Sequence, residues 1–185
     1  MADTANQDAV TFLIDQHNDV RNLFETVAGS TGEARKEAFE PLVRMLAVHE
    51  TAEELVIYPA IKNAGDEGKR IADARLHEED QAKKTLADLE KLDPSSSEFE
   101  SLFTDFRAAV EAHAENEERE VFPLLEQVTD DAALDRMTAA LKVAEGMAPT
   151  HPHKTAPESA IGNALVGPFV GMVDRVRDAI RDATR

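Results

Sequence analysis

An all-α fold, an antiparallel up-down four-helix bundle with a C-terminal helical extension, follows from three observations. Apolar residues recur at i, i+3, i+4 and i+7 along nearly the whole chain, the spacing that collects one face of a helix. Ala, Leu, Glu, Lys and Arg are abundant, while Gly and Pro number only 8 each in 185 residues, a composition that favours helix. The breakers are also clustered. They leave four long periodic stretches with short connections, which make sequential helices antiparallel neighbours.

The bundle is predicted to occupy residues 1–128. Its first helix runs from about Asp8 to Ala28 and ends in Gly29-Ser30-Thr31-Gly32. The second extends from about Glu33 to Ala64, closed by Gly65, and the third from about Asp66 to Leu92, before Asp93-Pro94. Ser95-Ser96-Ser97 offers N-caps, with Glu98 and Glu100 placed for a capping box, and opens a fourth helix to Val128. Residues 129–147 contain an additional helix, from Asp130 to Gly146. Residues 148–166 form a linker whose Pro-rich start, Ala148 to Pro157, does not sustain a helix. Over 167–185 an amphipathic helix is expected, with Phe169, Met172, Val173, Val176 and Ile180 on one stripe and Pro168 in its first turn.

Composition excludes several kinds of function. There is no cysteine, so disulfides, thiolate zinc sites, iron–sulfur clusters and a cysteine nucleophile are all ruled out. The net charge is −17, from 37 acidic against 20 basic residues, and a surface this negative repels nucleic acid and anionic membranes alike. No basic stretch followed by an apolar run marks a secretion signal, and no apolar run approaches the roughly 20 residues of a membrane span. The expected location is the cytoplasm.

The functional signal lies in polar residues that interrupt the apolar stripes. His113 and Glu117 fall within the stripe of Phe99, Phe103, Phe106, Val110, Val121 and Leu124. His49, Glu50 and Glu53 interrupt that of Leu42, Leu46, Ile57 and Ala60, and His17 sits among Val10, Leu13, Val20 and Phe24. A buried carboxylate without a partner is costly. Several at one level of a bundle call for a common partner, and a multivalent cation is the simplest.

An internal repeat sharpens this. His49-Glu50-Thr51-Ala52-Glu53-Glu54-Leu55-Val56-Ile57-Tyr58-Pro59 aligns with His113-Ala114-Glu115-Asn116-Glu117-Glu118-Arg119-Glu120-Val121-Phe122-Pro123. Another histidine precedes each copy, His17 the first and His77 the second. His-x-x-x-Glu stacks imidazole and carboxylate one helical turn apart, so both reach one ion. Imidazole and carboxylate without sulfur suit iron or manganese at five- or six-coordinate sites; zinc fits too but usually takes four ligands. No histidine follows a glutamate by three residues, so the Glu-x-x-His pairs of ferritin-like carboxylate proteins are absent.

These residues resemble the hemerythrin-like (HHE cation-binding) domain family over roughly Asp8 to Val128. The resemblance implies His17, His49, Glu53, His77, His113 and Glu117 as metal ligands, with Glu53 and Glu117 bridging two iron ions in an oxo- or hydroxo-bridged centre. Oxygen-carrying members have a further histidine on the third helix, where this chain has Asp73, which argues against reversible oxygen carriage. Glu50 either supplies an oxygen ligand or pairs with Arg21. Tyr58 is either a ligand or hydrogen-bond donor at the metals, or an aromatic staple at the helix end; its repeat partner Phe122 favours the staple. His151 and His153 read as part of a solvated linker. The expected function is a di-iron protein reacting with hydrogen peroxide, dioxygen or nitric oxide, with weak catalase- or peroxidase-like turnover. The alternative is an iron- or oxygen-sensing module without turnover. The small oxidant is the expected partner, with a homodimer or a protein partner through the C-terminal helix as a further expectation.

Overall fold

The computed structural model describes residues 7–148, and all of its regular structure is helical. The linker with His151 and His153 and the expected C-terminal helix lie outside the described residues. Helix α1 spans Ala9–Ala28, and the Asp8 carboxylate caps it by accepting from the Thr11 amide at 2.8 Å. Helix α2 spans Gly32–Lys62 and α3 spans Asp66–Leu89. Gly65 joins them at φ 103°, a backbone conformation open to glycine. Helix α4 spans Ser97–Asn116 and is followed by a π-helical turn over Glu117–Val121, then α5 over Phe122–Val128 and α6 over Asp131–Glu145.

Two details differ from expectation. Ser96 caps α4 by accepting from the Phe99 amide at 3.1 Å, which puts Phe99 where a capping box needs Glu or Gln. Glu100 instead accepts from Arg35 at 3.0 Å, and buried Arg35 also ties down the Ser30 and Pro94 carbonyls at that end of the bundle. The second difference is the π turn, which interrupts what the periodicity reads as one helix to Val128. Pro123 removes an amide just beyond it, yet α2 stays regular around Pro59 at the equivalent repeat position. Proline alone therefore does not dictate the wider turn. Along the π turn Glu118 reaches α1 while Glu120 reaches α3.

Helix α2 packs against α1 and α3, and α4 against α3 and α1, closing the four-helix ring, while α6 covers α1 and α2. The α2–α3 corner is tight. A Cβ on Gly68 would stand 2.0 Å from the Ile61 carbonyl oxygen, so only glycine fits. The apolar interior comes in two parts. One holds Leu13, Ile57, Ile61, Val121 and Leu125. The other holds Phe24, Leu42, Leu86, Phe99, Phe103 and Phe106. Between them lies a polar layer, because each helix changes character at the same height: Leu13–His17–Val20, Leu46–Glu50–Leu55, Ala72–Glu79–Leu86 and Val110–His113–Val121. Among the described residues, no helix is long and apolar enough to cross a membrane.

Candidate metal centre

The polar layer contains two groups of side chains whose donor atoms converge. His17, His49, Glu53 and Glu117 form one, and Glu50, Glu79 and His113 the other; within each, one donor atom per residue lies within 4.8 Å of all the rest. All seven side chains are buried. Glu117 stands between the groups, its Oε2 3.3 Å from His17 Nε2 and 3.4 Å from His113 Nε2. Its Oε1 accepts the Tyr58 hydroxyl at 2.6 Å.

Each imidazole is held from behind. His17 Nδ1 meets Glu118 at 2.9 Å, His49 Nδ1 meets Gln16 Oε1 at 2.8 Å, and His113 Nδ1 meets Glu78 at 2.9 Å. This leaves each Nε2 turned into the layer, the outer support expected of metal-binding histidines. Arg21 completes the Glu118 pair at 2.9 Å, and Arg75 binds Glu78 and Glu120. The interior atoms are then left without hydrogen bonds: His17 Nε2, His113 Nε2, Glu50 Oε2, both Glu53 oxygens, Glu79 Oε1 and Glu117 Oε2. Native interiors rarely leave polar atoms unpaired. Seven in one layer fit a cation, which could accept a lone pair from each.

The buried imidazoles and carboxylates shift one another's proton affinities. Burial opposes charge on His49, but Glu53 and then Glu50 and Glu117 outweigh it and raise the imidazole to about 9. His113 is raised to about 10, again against burial, by Glu117 and Glu50 with help from Glu78. Glu117 is held well below the usual carboxylate range, since His113 and His17 overcome its burial. Glu53 moves up through burial and the Glu117 charge, and Glu79 well up through burial and Glu50, with Lys83 opposing. The buried Tyr58 phenol is pushed far above its ordinary value by burial and the same carboxylates.

One expected ligand lies apart from both groups. His77 is exposed on the outer face of α3 and belongs to neither group. The inner face of that helix runs Ala72, Arg75, Glu79 and Leu86, and His77 lies two residues, about 200°, around from Glu79. Asp73 is likewise outside, paired with Lys62 at 3.0 Å. Among the described residues the polar layer therefore holds three imidazoles, and the inner third-helix positions are Arg75 and Glu79. Glu50 belongs to the second group, while Arg21 binds Glu118 and Asn18. Tyr58 is buried and donates to Glu117.

Sequence reasoning missed Glu79 and the supporting Gln16, Glu78 and Glu118. The signal was available in a longer repeat. Gln16-His17-x-x-x-Arg21 on α1 corresponds to Glu78-Glu79-x-x-x-Lys83 on α3, just as His49-x-x-x-Glu53-Glu54 corresponds to His113-x-x-x-Glu117-Glu118. A narrow pocket beside the layer is lined by Val20, Leu46, Val110 and Ala114, with Arg21 and Glu111 at its partly exposed rim, and reaches His17, His49, Glu50 and His113.

A helical bundle with a buried layer of histidines and glutamates, their donor atoms converging and unpaired, defines a metal-binding bundle protein. The chain belongs to the hemerythrin HHE cation binding domain family, which it matches over residues 8–125. It is 28% identical over 134 residues to an uncharacterized hemerythrin-like protein of Schizosaccharomyces pombe, covering 72% of this chain and 66% of that protein, just under two thirds of its length. The fold is shared with the crystal structure of a hemerythrin HHE cation binding domain-containing protein from Mycobacterium kansasii. There the identity is 22% and the TM-score 0.66, over 90% of this chain and 98% of the other.

Proposed function

We propose that this chain holds two iron ions in the polar layer and reacts with a small oxidant, hydrogen peroxide, dioxygen or nitric oxide, including weak disproportionation of peroxide to dioxygen and water. The observation that carries this is the set of unpaired interior donors, each imidazole fixed from outside with Nε2 aimed inward. His17, His49 and Glu53 would hold one ion, Glu50, Glu79 and His113 the other, and Glu117 would serve both. Bound there, iron supplies one-electron chemistry to small oxidants.

The residues do the rest. The two apolar regions keep bulk water from the layer on both sides along the bundle axis. The pocket lined by Val20, Leu46, Val110 and Ala114 suits a small uncharged molecule and leads it to the imidazoles. The Tyr58 hydroxyl donates a hydrogen bond to Glu117 and fixes that carboxylate. With Arg75 and Glu79 at the inner third-helix positions, the ligand set is richer in carboxylate than that of an oxygen carrier, which favours redox turnover over reversible oxygen binding.

Metal analysis and absorption spectroscopy of natively purified protein test this. About two iron ions per chain are expected, with near-ultraviolet and visible absorption that chelation abolishes. One zinc, or no metal, overturns the reading. A second reading, iron or oxygen sensing without turnover, draws on Gln16, which holds His49 and donates to Glu145 of α6 at 2.6 Å. Catalytic oxygen evolution from peroxide favours the enzyme; stoichiometric bleaching with a change in α6 favours the sensor.

A further inference from the structure

The two halves of the layer follow one plan, with one substitution that changes the charge at the second half. In the first, Arg21 binds Glu118, and Glu118 holds the back of His17. The cation thus acts on an outer carboxylate. In the second, Glu79 takes the place of His17 and Lys83 that of Arg21. Lys83 Nζ contacts Glu79 Oε2 directly at 3.2 Å, and its other partner is Glu54, the repeat counterpart of Glu118. Glu79 Oε1 remains unpaired and buried. The donor sets differ as well: two imidazoles and two carboxylates in the first group, one imidazole and two carboxylates in the second.

Resting on the proposed metal centre, the geometry assigns Lys83 a positioning role: it sets the affinity of the Glu50–Glu79–His113 site, which fills second, after the His17–His49–Glu53–Glu117 site. Its ammonium fixes Glu79 through Oε2, so that Oε1 alone faces the layer, and its charge opposes an arriving cation. Glu54 shares that ammonium and so moderates the opposition. Removing the positive charge removes a repulsion that scales with the charge of the arriving ion and is therefore largest for a divalent one. The net result is tighter metal binding at the second site.

Anaerobic calorimetric titration of the metal-stripped full chain with ferrous iron, at one fixed pH, tests this. Wild type is expected to show two steps of unequal affinity. Lys83→Met, which removes the charge opposing the ion, should tighten the weaker step by about tenfold and leave the tighter step in place. Lys83→Arg, which keeps the charge, should titrate like wild type. Glu54→Gln should weaken the second step severalfold, the opposite sign. An unchanged or weakened second step in Lys83→Met, an equal change in both steps, or Lys83→Arg behaving like Lys83→Met overturns the assignment. If Lys83→Met does not fold, Glu54→Gln decides, and a second step it leaves unaltered refutes the role. Wild type that takes up no iron refutes the metal centre itself, which is distinct from two normal steps indifferent to Lys83.

Discussion

Glu117→Gln is the most informative perturbation, because this carboxylate faces both ligand groups and changes charge without changing shape. Its Oε1 can keep the Tyr58 hydrogen bond, so the packing between the two apolar regions is preserved. In wild type, iron at about 100 times its dissociation constant adds about 2.7 kcal/mol per independent site. Roughly 140 described residues at about 2.1 cal/mol/K each give an unfolding entropy near 0.3 kcal/mol/K. Each site therefore raises Tm by about 9 °C. Outer-shell changes at metal sites already cost up to about 100-fold in affinity, and Glu117 would be a direct ligand. At that loss the same iron concentration only half-fills a site, and the gain shrinks to about 0.4 kcal/mol, or 1–2 °C. The assay is an anaerobic circular-dichroism melt of each variant, with ferrous iron and with chelator. Taking the difference within each variant cancels any effect on the metal-free fold. A Glu117→Gln protein that keeps the full metal-dependent rise would refute its shared position.

Four further outcomes follow from particular contacts. His77→Ala should leave metal content unchanged, whereas His113→Ala should lower it from about two ions per chain to about one, read by elemental analysis. Tyr58→Phe leaves a buried carboxylate oxygen without its donor and should cost about 1.5–3 kcal/mol in urea unfolding of the metal-free protein. Gly68→Ala forces a Cβ against the Ile61 carbonyl and should cost about 1–3 kcal/mol by the same measurement. His49 and His113 are raised to about 9 and about 10, above their unfolded value. Their stabilisation is therefore complete below the unfolded value and is lost as pH climbs through those two; the metal-free urea midpoint should fall over that window, and iron uptake near neutrality should release protons to an indicator dye.

How much of this was legible depended on which side chains repeat and which merely resemble. The four helices and the polar layer were readable because apolar periodicity is long and the interruptions at His17, His49, Glu53, His113 and Glu117 fall within it. Helix α3 was harder. It is strongly charged, so its inner stripe is sparse, and an exposed histidine stood out more than a buried glutamate. His77 precedes the second repeat copy as His17 precedes the first, which makes it the expected ligand. Glu79 occupies the inner face because Ala72, Arg75 and Leu86 define that face. The supporting residues Gln16, Glu78 and Glu118 were invisible for another reason: each looks like one more polar residue until the imidazole it holds is located. The π turn has no signal either, since Pro59 and Pro123 share a local context and only one follows a wide turn.

The polar layer also bears on whether the fold depends on its ion. Four buried carboxylates, Glu50, Glu53, Glu79 and Glu117, would be prohibitive if all were charged and unopposed. They are opposed from within. His49 and His113, raised to about 9 and about 10, carry protons near neutrality, and Lys83 adds a third positive charge beside Glu79. Burial holds Glu53 and Glu79 toward their neutral forms. Without metal the layer thus approaches electrical balance by taking up protons, and with metal it reaches balance by exchanging them for cations. The same side chains serve both states, and the two apolar regions above and below are unaffected by the exchange. Metal removal should therefore lower Tm while leaving helicity intact, unlike small metal-dependent domains that unfold on chelation. A wholesale loss of far-ultraviolet ellipticity on chelation would show that the protons do not substitute for the ions, and would move the weight to the sensing reading.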